Sequence, residues 1–242
     1  MDPLTAVAAS GLRSRMESLE MLANNVANAS TGGYKSDREF YSLYADSEAQ
    51  TDGYATMPVI ERPWTDLSQG VLTATGNPLD LALSGKGFFA VNGPSGPLYT
   101  RNGSFQLAKD GTLVTADGYP LREARGGTLL LQGSGPVSVS SDGTVMQDGN
   151  IVGQLDIRNL PATGLAKRGS NYFLSSDPNL QPVAAGDTSV SQGRLEASNA
   201  GSAESAVRLI GIMRQFEMLQ KAASLGMEMS QHAIQDVAKV GA

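Results

Sequence analysis

The chain has 242 residues, enough for one large domain or for two to three small ones. Its formal net charge of −6 argues against a nucleic-acid-binding surface, which needs a basic stripe. The absence of cysteine excludes disulfides and thiolate metal sites.

Asp2 stands where a secretory signal carries a basic segment, and Arg13 and Arg15 soon follow the small apolar run 6–9, so no cleavable signal is expected. No apolar stretch approaches the ~20 residues of a bilayer span, so no direct membrane insertion is expected. Residues 4–28 have the pattern of a helix roughly 37 Å long at 1.5 Å per residue. Leu12, Met16, Leu19, Ala23 and Val26 alternate four-then-three spacings, a narrow heptad seam suited to packing against another helix. Asn24, Asn25 and Asn28 are unfavourable inside a helix and point to specific hydrogen bonds rather than decoration. Gly32 and Gly33 are expected to end the helix, and the joint between the helix and the next segment falls at Gly32, Gly33, Tyr34 and Lys35.

From 36 to 69 no period dominates. Phe40, Tyr41, Tyr44, Tyr54 and Trp64 are interleaved with acids and prolines, which reads as an extended aromatic linker with short strands. Residues 70–189 have a different grammar, with short alternating runs such as Leu79 to Leu83 and Gly87 to Val91. Asp-Gly pairs at Asp110, Asp117, Asp142 and Asp148 mark tight turns that need positive φ, so this part is read as an all-β antiparallel domain. Their irregular spacing favours turns over calcium loops. Gly85-Lys86-Gly87 lacks the spacing of a phosphate loop and enters a strand.

Residues 199–240 contain no proline and keep near-heptad spacing through Leu209, Ile212, Phe216, Leu219 and Ala223. Val207, Ile210, Met213, Met218, Leu225 and Met229 widen the apolar surface beyond one seam, so partners in other copies are expected. The fold class is therefore α+β, mainly β. Long terminal helices (1–35 with 190–242) form a coiled-coil-like hairpin around the central β-domain. Subunit-interface candidates are Leu12, Met16, Leu19, Asn24, Asn25, Val26, Asn28, Leu209, Ile212, Phe216, Leu219 and Ala223.

His232 is the sole histidine, so neither a His-based triad nor a multi-His metal site can be built. The nearest carboxylate set for glycoside cleavage is Asp37, Glu39, Asp46 and Glu48 in the linker, and acids among aromatics more often form a docking strip. No catalytic residue, cofactor, small-molecule substrate or nucleic-acid partner is expected.

Three blocks resemble the rod and hook family of bacterial flagellar axial proteins. The first runs Asn24-Asn25-Val26-Ala27-Asn28-Ala29-Ser30-Thr31-Gly32-Gly33-Tyr34-Lys35. The second begins Thr75-Gly76-Asn77-Pro78-Leu79-Asp80-Leu81, continues through Gly85 to Phe89 and includes Tyr99-Thr100-Arg101-Asn102-Gly103. The third is Leu195-Glu196-Ala197-Ser198-Asn199 followed by Met213 to Lys221. Within the family, length and the Arg214 to Lys221 run are most similar to the proximal rod type, with the distal type second. Ser30, Gly32, Ser205-Ala206 and Met213 depart from the usual residues. The resemblance implies a non-catalytic subunit of the periplasm-spanning rod, exported by the flagellar type III apparatus without a cleaved signal. Its partners would be other copies and neighbouring rod proteins, with terminal helices as an inner tube and the β-domain outside. A different class remains open: an exported β-rich sugar-binding or adhesin module with oligomerising helices.

Overall fold

The computed structural model describes residues 3–44, 57–132, 135–161, 164–175 and 183–240. It is mainly β, with one helix at each end: α1, Pro3–Ala27, and α2, Ser202–Val240. The chain divides into two compact units, residues 1–27, 37–66 and 201–242 in the first and 28–36 with 67–200 in the second.

The first unit holds both helices and a β-ribbon made by β1, Asp37–Tyr44, and β2, Met57–Thr65. These strands pair antiparallel from Asp37↔Thr65 to Tyr44↔Met57, with a register shift between Arg38 and Phe40. The strands expected in the 36–69 stretch are longer than short linker strands: eight and nine residues pair into one ribbon. Pro58 and Pro63, which look like linker residues, are tolerated because both strands of a two-stranded ribbon are edges. Tyr54, Asp46 and Glu48 lie outside the described residues.

On α1 the buried ridge is Ser14, Ser18, Leu22 and Asn25, at three- and four-residue spacing, with Gly11 half-buried one step earlier. Leu12, Leu19 and Val26 of the expected seam flank this ridge half-buried, whereas Met16 and Ala23 are exposed. The heptad reading weighed apolar size, but the helix turns its small side inward. On α2 the inward face is bulky: Ser205 and Ile212 are buried, and Leu209, Phe216, Leu219 and Ala223 half-buried, on one stripe. A Cβ placed on Gly11 would lie 3.6 Å from Leu219 Cδ1, so the α2 seam rests directly on the small ridge. Close approach of two helices requires small residues opposite large ones.

In the second unit a six-stranded antiparallel sheet runs in the order Leu165–Arg168, Tyr172–Ser175, Gly96–Thr100, Phe88–Gly93, Ile157–Asn159, Val183–Ala184. The strand Phe88–Gly93 is buried on both faces. Phe89 and Val91 join the larger core with Leu83, Phe105, Leu121 and Val145, while Phe88 and Ala90 join Tyr99, Leu160 and Phe173. Smaller sheets surround it, among them Leu72–Ala74 paired with Arg194–Glu196. Glycines 111, 118, 143 and 149 all have φ between +79° and +85°, as the Asp-Gly reading requires. Of the four Asp-Gly pairs, Asp148-Gly149 alone forms a two-residue hairpin, with Asp148 itself at +52° between Gln147 and Asn150. Asp110 and Asp142 instead accept the amides of Thr112 and Thr144, each at 3.0 Å.

Candidate functional site

Two features carry the functional reading: a buried ionic joint in the second unit, and a helix pair in the first whose apolar surface is only partly covered.

The joint begins where α1 stops. The helix ends at Ala27, five residues before the expected glycine stop, and Asn28 then shapes a turn: its carbonyl accepts Thr31 N–H at 3.1 Å, and its side-chain oxygen accepts the Thr31 hydroxyl at 3.1 Å. Gly33 has a different task from capping. Its φ is +69°, and a Cβ there would sit 2.2 Å from Asn102 N, so only glycine fits. Gly32 is less constrained, a Cβ there meeting Asn102 Oδ1 at 3.2 Å. Gly33 N–H donates to the Glu196 carbonyl at 2.8 Å, tying the incoming segment to the outgoing one.

Lys35 and Glu196 then form a wholly buried ion pair, Nζ to Oε1 at 2.6 Å, with both side chains at 0 % exposure. Lys35 Nζ also donates to the Ser68 carbonyl at 2.6 Å. The second Glu196 oxygen accepts from Arg101 at 3.2 Å, and Gly70 N–H donates to Oε1 at 2.9 Å. Arg101 further donates to the Gly85 carbonyl at 2.6 Å and lies over the Phe88 ring at 5.3 Å. Burial pushes the Arg101 guanidinium down from its usual value, opposed by the adjacent Glu196 charge. Tyr34, 1 % exposed, carries the Lys167 ammonium 4.6 Å above its ring, and that ammonium donates to the Lys35 carbonyl. Asn199 accepts Ser36 N–H at 2.7 Å and donates to the Ser68 carbonyl at 3.1 Å. Segments 33–36, 68–70 and 196–199 are thus locked at one place, close to where the chain passes into the other unit at 36/37, 66/67 and 200/201.

Of the joint residues read from sequence, Gly32, Gly33, Tyr34 and Lys35 all lie here. Glu196 and Arg101 were missed as partners, although each sits in one of the three resembling blocks. Each block supplies one of the three charges, Lys35, Arg101 and Glu196, but the second and third blocks hold other charges too, so nothing local singles these out.

In the first unit Asn25, 4 % exposed, clamps the start of β1: its amide donates to the Asp37 carbonyl at 2.8 Å and its oxygen accepts Asp37 N–H at 3.0 Å. Asn24 beside it is exposed. Asp37 also accepts the Thr65 hydroxyl at 2.8 Å, and Glu39 faces Arg208 at 4.0 Å. Those two acids thus engage the ribbon and α2. The outer side of α2 is apolar and open: Val207 is 72 % exposed, Met218 61 %, Leu225 58 % and Met229 72 %. Successive spacings of eleven, seven and four residues put these four on one stripe, opposite the Leu209–Ile212–Phe216–Leu219–Ala223 seam.

Comparison with known proteins agrees with this arrangement. Residues 6–35 match the model of the flagella basal body rod protein, 82–147 that of the flagellar hook protein FlgE/F/G D1 domain, and 191–236 that of the flagellar basal body rod FlgEFG protein C-terminal region. The flagellar basal-body rod protein FlgF of Caulobacter vibrioides is 33 % identical over 245 residues, covering 99 % of this chain and 100 % of the relative. The chain belongs to the flagellar basal-body rod protein family. It is a structural subunit of the flagellar basal body, of the rod. FlgF of Rhizobium meliloti is 33 % identical, covering 87 % of this chain and 88 % of its own. FlgG of Caulobacter vibrioides is 32 % identical, with 93 % and 95 % covered. The ionic joint draws its three charges from inside the matched regions: Lys35 in the first, Arg101 in the second and Glu196 in the third.

Proposed function

We propose that this rod subunit is of the proximal type and polymerises through its terminal helices into the shaft that passes torque from motor to hook. The observation that carries it is the second apolar stripe of α2. The inner seam is covered by α1, while Val207, Met218, Leu225 and Met229 remain open on the far side. Four large apolar side chains in one exposed helical stripe are unfavourable in water unless other copies cover them. In this reading α1 and α2 form a coiled-coil-like hairpin inside the shaft, and their neighbours are other copies and adjoining rod proteins. Stiffness follows because sliding one helix past another would expose apolar stripes on several subunits at once. The full-length match to a FlgF supports the proximal type.

Delivery by the flagellar type III export apparatus belongs to the same proposal, as does the lack of any catalytic role. The test is biochemical and genetic. The protein should co-purify with detergent-extracted hook–basal bodies, and its deletion should abolish filament assembly. A deletion strain that still builds filaments would overturn the proposal.

A further inference from the structure

The β-domain carries a cavity of about 550 Å³ away from the ionic joint. One wall is the segment Thr128, Leu129, Leu130 and Gln132, which is extended and makes isolated bridges Arg122↔Thr128 and Thr112↔Leu130. The other wall is the hairpin Thr144–Gln147/Asn150–Gln154, contributing Gln147, Asp148, Asn150, Ile151 and Val152. Gln132 N–H donates to Gln147 Oε1 at 2.8 Å and ties the walls together. The strand Asn150–Gln154 is terminal in its three-stranded sheet; its outer side is taken at Gln154, whose carbonyl accepts Ala124 N–H at 2.9 Å beside the bridge Glu123↔Leu155, and residues 150–153 are left as a strand edge. Ile151 is 74 % exposed and Leu130 51 %, and the charged residues lining the cavity, Glu123 and Asp148, are both acids. This short edge, beside exposed apolar side chains and two acids that make no ion pair among the described residues, fits an added, basic strand.

The same protomer presents such a strand elsewhere. Leu165–Arg168, Leu-Ala-Lys-Arg, is terminal in the six-stranded sheet. Lys167 is engaged at the joint, but Arg168 makes no ion pair among the described residues. Asp117, which lines a smaller cavity with Arg168, accepts the Tyr172 hydroxyl at 2.7 Å instead.

The geometry points to a contact between copies of this chain in which the edge strand Leu165–Arg168 of one subunit adds to the edge at residues 150–153 of the next, Arg168 facing Glu123 and Asp148. Two different surfaces meet, so the contact is heterologous and repeats from subunit to subunit rather than closing a dimer. It rests on the reading that copies assemble, and adds to the helix contacts a lateral one between β-domains.

The native chain has no cysteine, which makes cross-linking unambiguous. Asn150→Cys and Ser170→Cys change exposed residues beside each edge and leave Arg168, Glu123 and Asp148 in place. Hook–basal bodies from cells making both single variants are treated with a short bis-maleimide. A mixed covalent pair should form, while neither variant alone should give one. Both chains present without a mixed pair, or a self-pair from a single variant, would overturn the contact and leave helix-driven assembly standing. Absence of the wild-type chain from the basal bodies would remove the assembly reading and the contact with it. Arg168→Glu should reduce incorporation at least several-fold, and Arg168→Glu with Glu123→Arg should restore most of it. Failure of the swap to restore incorporation while both single variants stay folded would also overturn the contact, as would capture of the edge by a different protein in place of a second copy.

Discussion

Lys35 Nζ lies 2.6 Å from Glu196 Oε1 across 161 positions of sequence, with neither side chain reaching solvent. A buried carboxylate between two cations is a strong local constraint, because removing one member leaves uncompensated charge. Glu196→Gln leaves Lys35 and Arg101 without their counter-charge and should destabilise the β-domain by about 3–5 kcal/mol. Lys35→Met leaves Glu196 paired with Arg101 and should destabilise less. Urea unfolding followed by near-ultraviolet circular dichroism gives the order, and equal losses for the two variants would contradict it.

Gly33 and Gly32 are adjacent but unequal. Gly33→Ala places a methyl group against Asn102 backbone and forces an alanine to φ near +69°. That strain alone is on the order of 1–3 kcal/mol. Gly32→Ala needs only a small shift of the Asn102 side chain. Soluble yield and urea midpoint should fall clearly for Gly33→Ala and little for Gly32→Ala.

Acid stability should depend on two turn carboxylates. The Thr112 amide, then its hydroxyl, hold Asp110 below the usual carboxylate value, and Thr144 does the same for Asp142. A group depressed in the folded state adds stability that is present above its unfolded value of 3.8 and is lost as pH falls through the folded value. Stability should therefore decline below about pH 4. The double variant Asp110→Asn with Asp142→Asn keeps the accepting oxygens and should show a flatter decline in urea midpoint across that window.

The helix pair has its own test at Gly11. An added methyl group would make ordinary contact with Leu219, so Gly11→Ala should stabilise α1 by up to about 1 kcal/mol through helix propensity. Gly11→Leu should push Leu219 away and lower the melting temperature read at 222 nm. A gain from both substitutions would mean that the two helices do not pack at this ridge.

The long elements were legible in sequence because their periods are long. The α2 seam Leu209, Ile212, Phe216, Leu219 and Ala223 sits on the inward face that its spacing indicates. The α1 ridge was not legible, since Ser14 and Ser18 are buried despite being polar, and apolar spacing alone does not mark such residues as inward. The β1/β2 ribbon was hidden by prolines that an edge strand tolerates. The Asp-Gly turns were readable from local backbone chemistry. The ionic joint was not, because Lys35, Arg101 and Glu196 are brought together only by tertiary pairing, and no local period announces such a meeting.

Assembly through the helices turns on the outer stripe of α2 facing other copies. Met218→Asp with Leu225→Asp places two charges on that stripe and touches neither the α1 contact nor the β-domain, since both positions are exposed. The decisive measurement is the amount of this variant recovered in hook–basal bodies beside its helix content in the purified monomer. Wild-type helix content with loss of incorporation and of swimming is the expected result. Normal incorporation and motility would contradict a stripe that faces other copies.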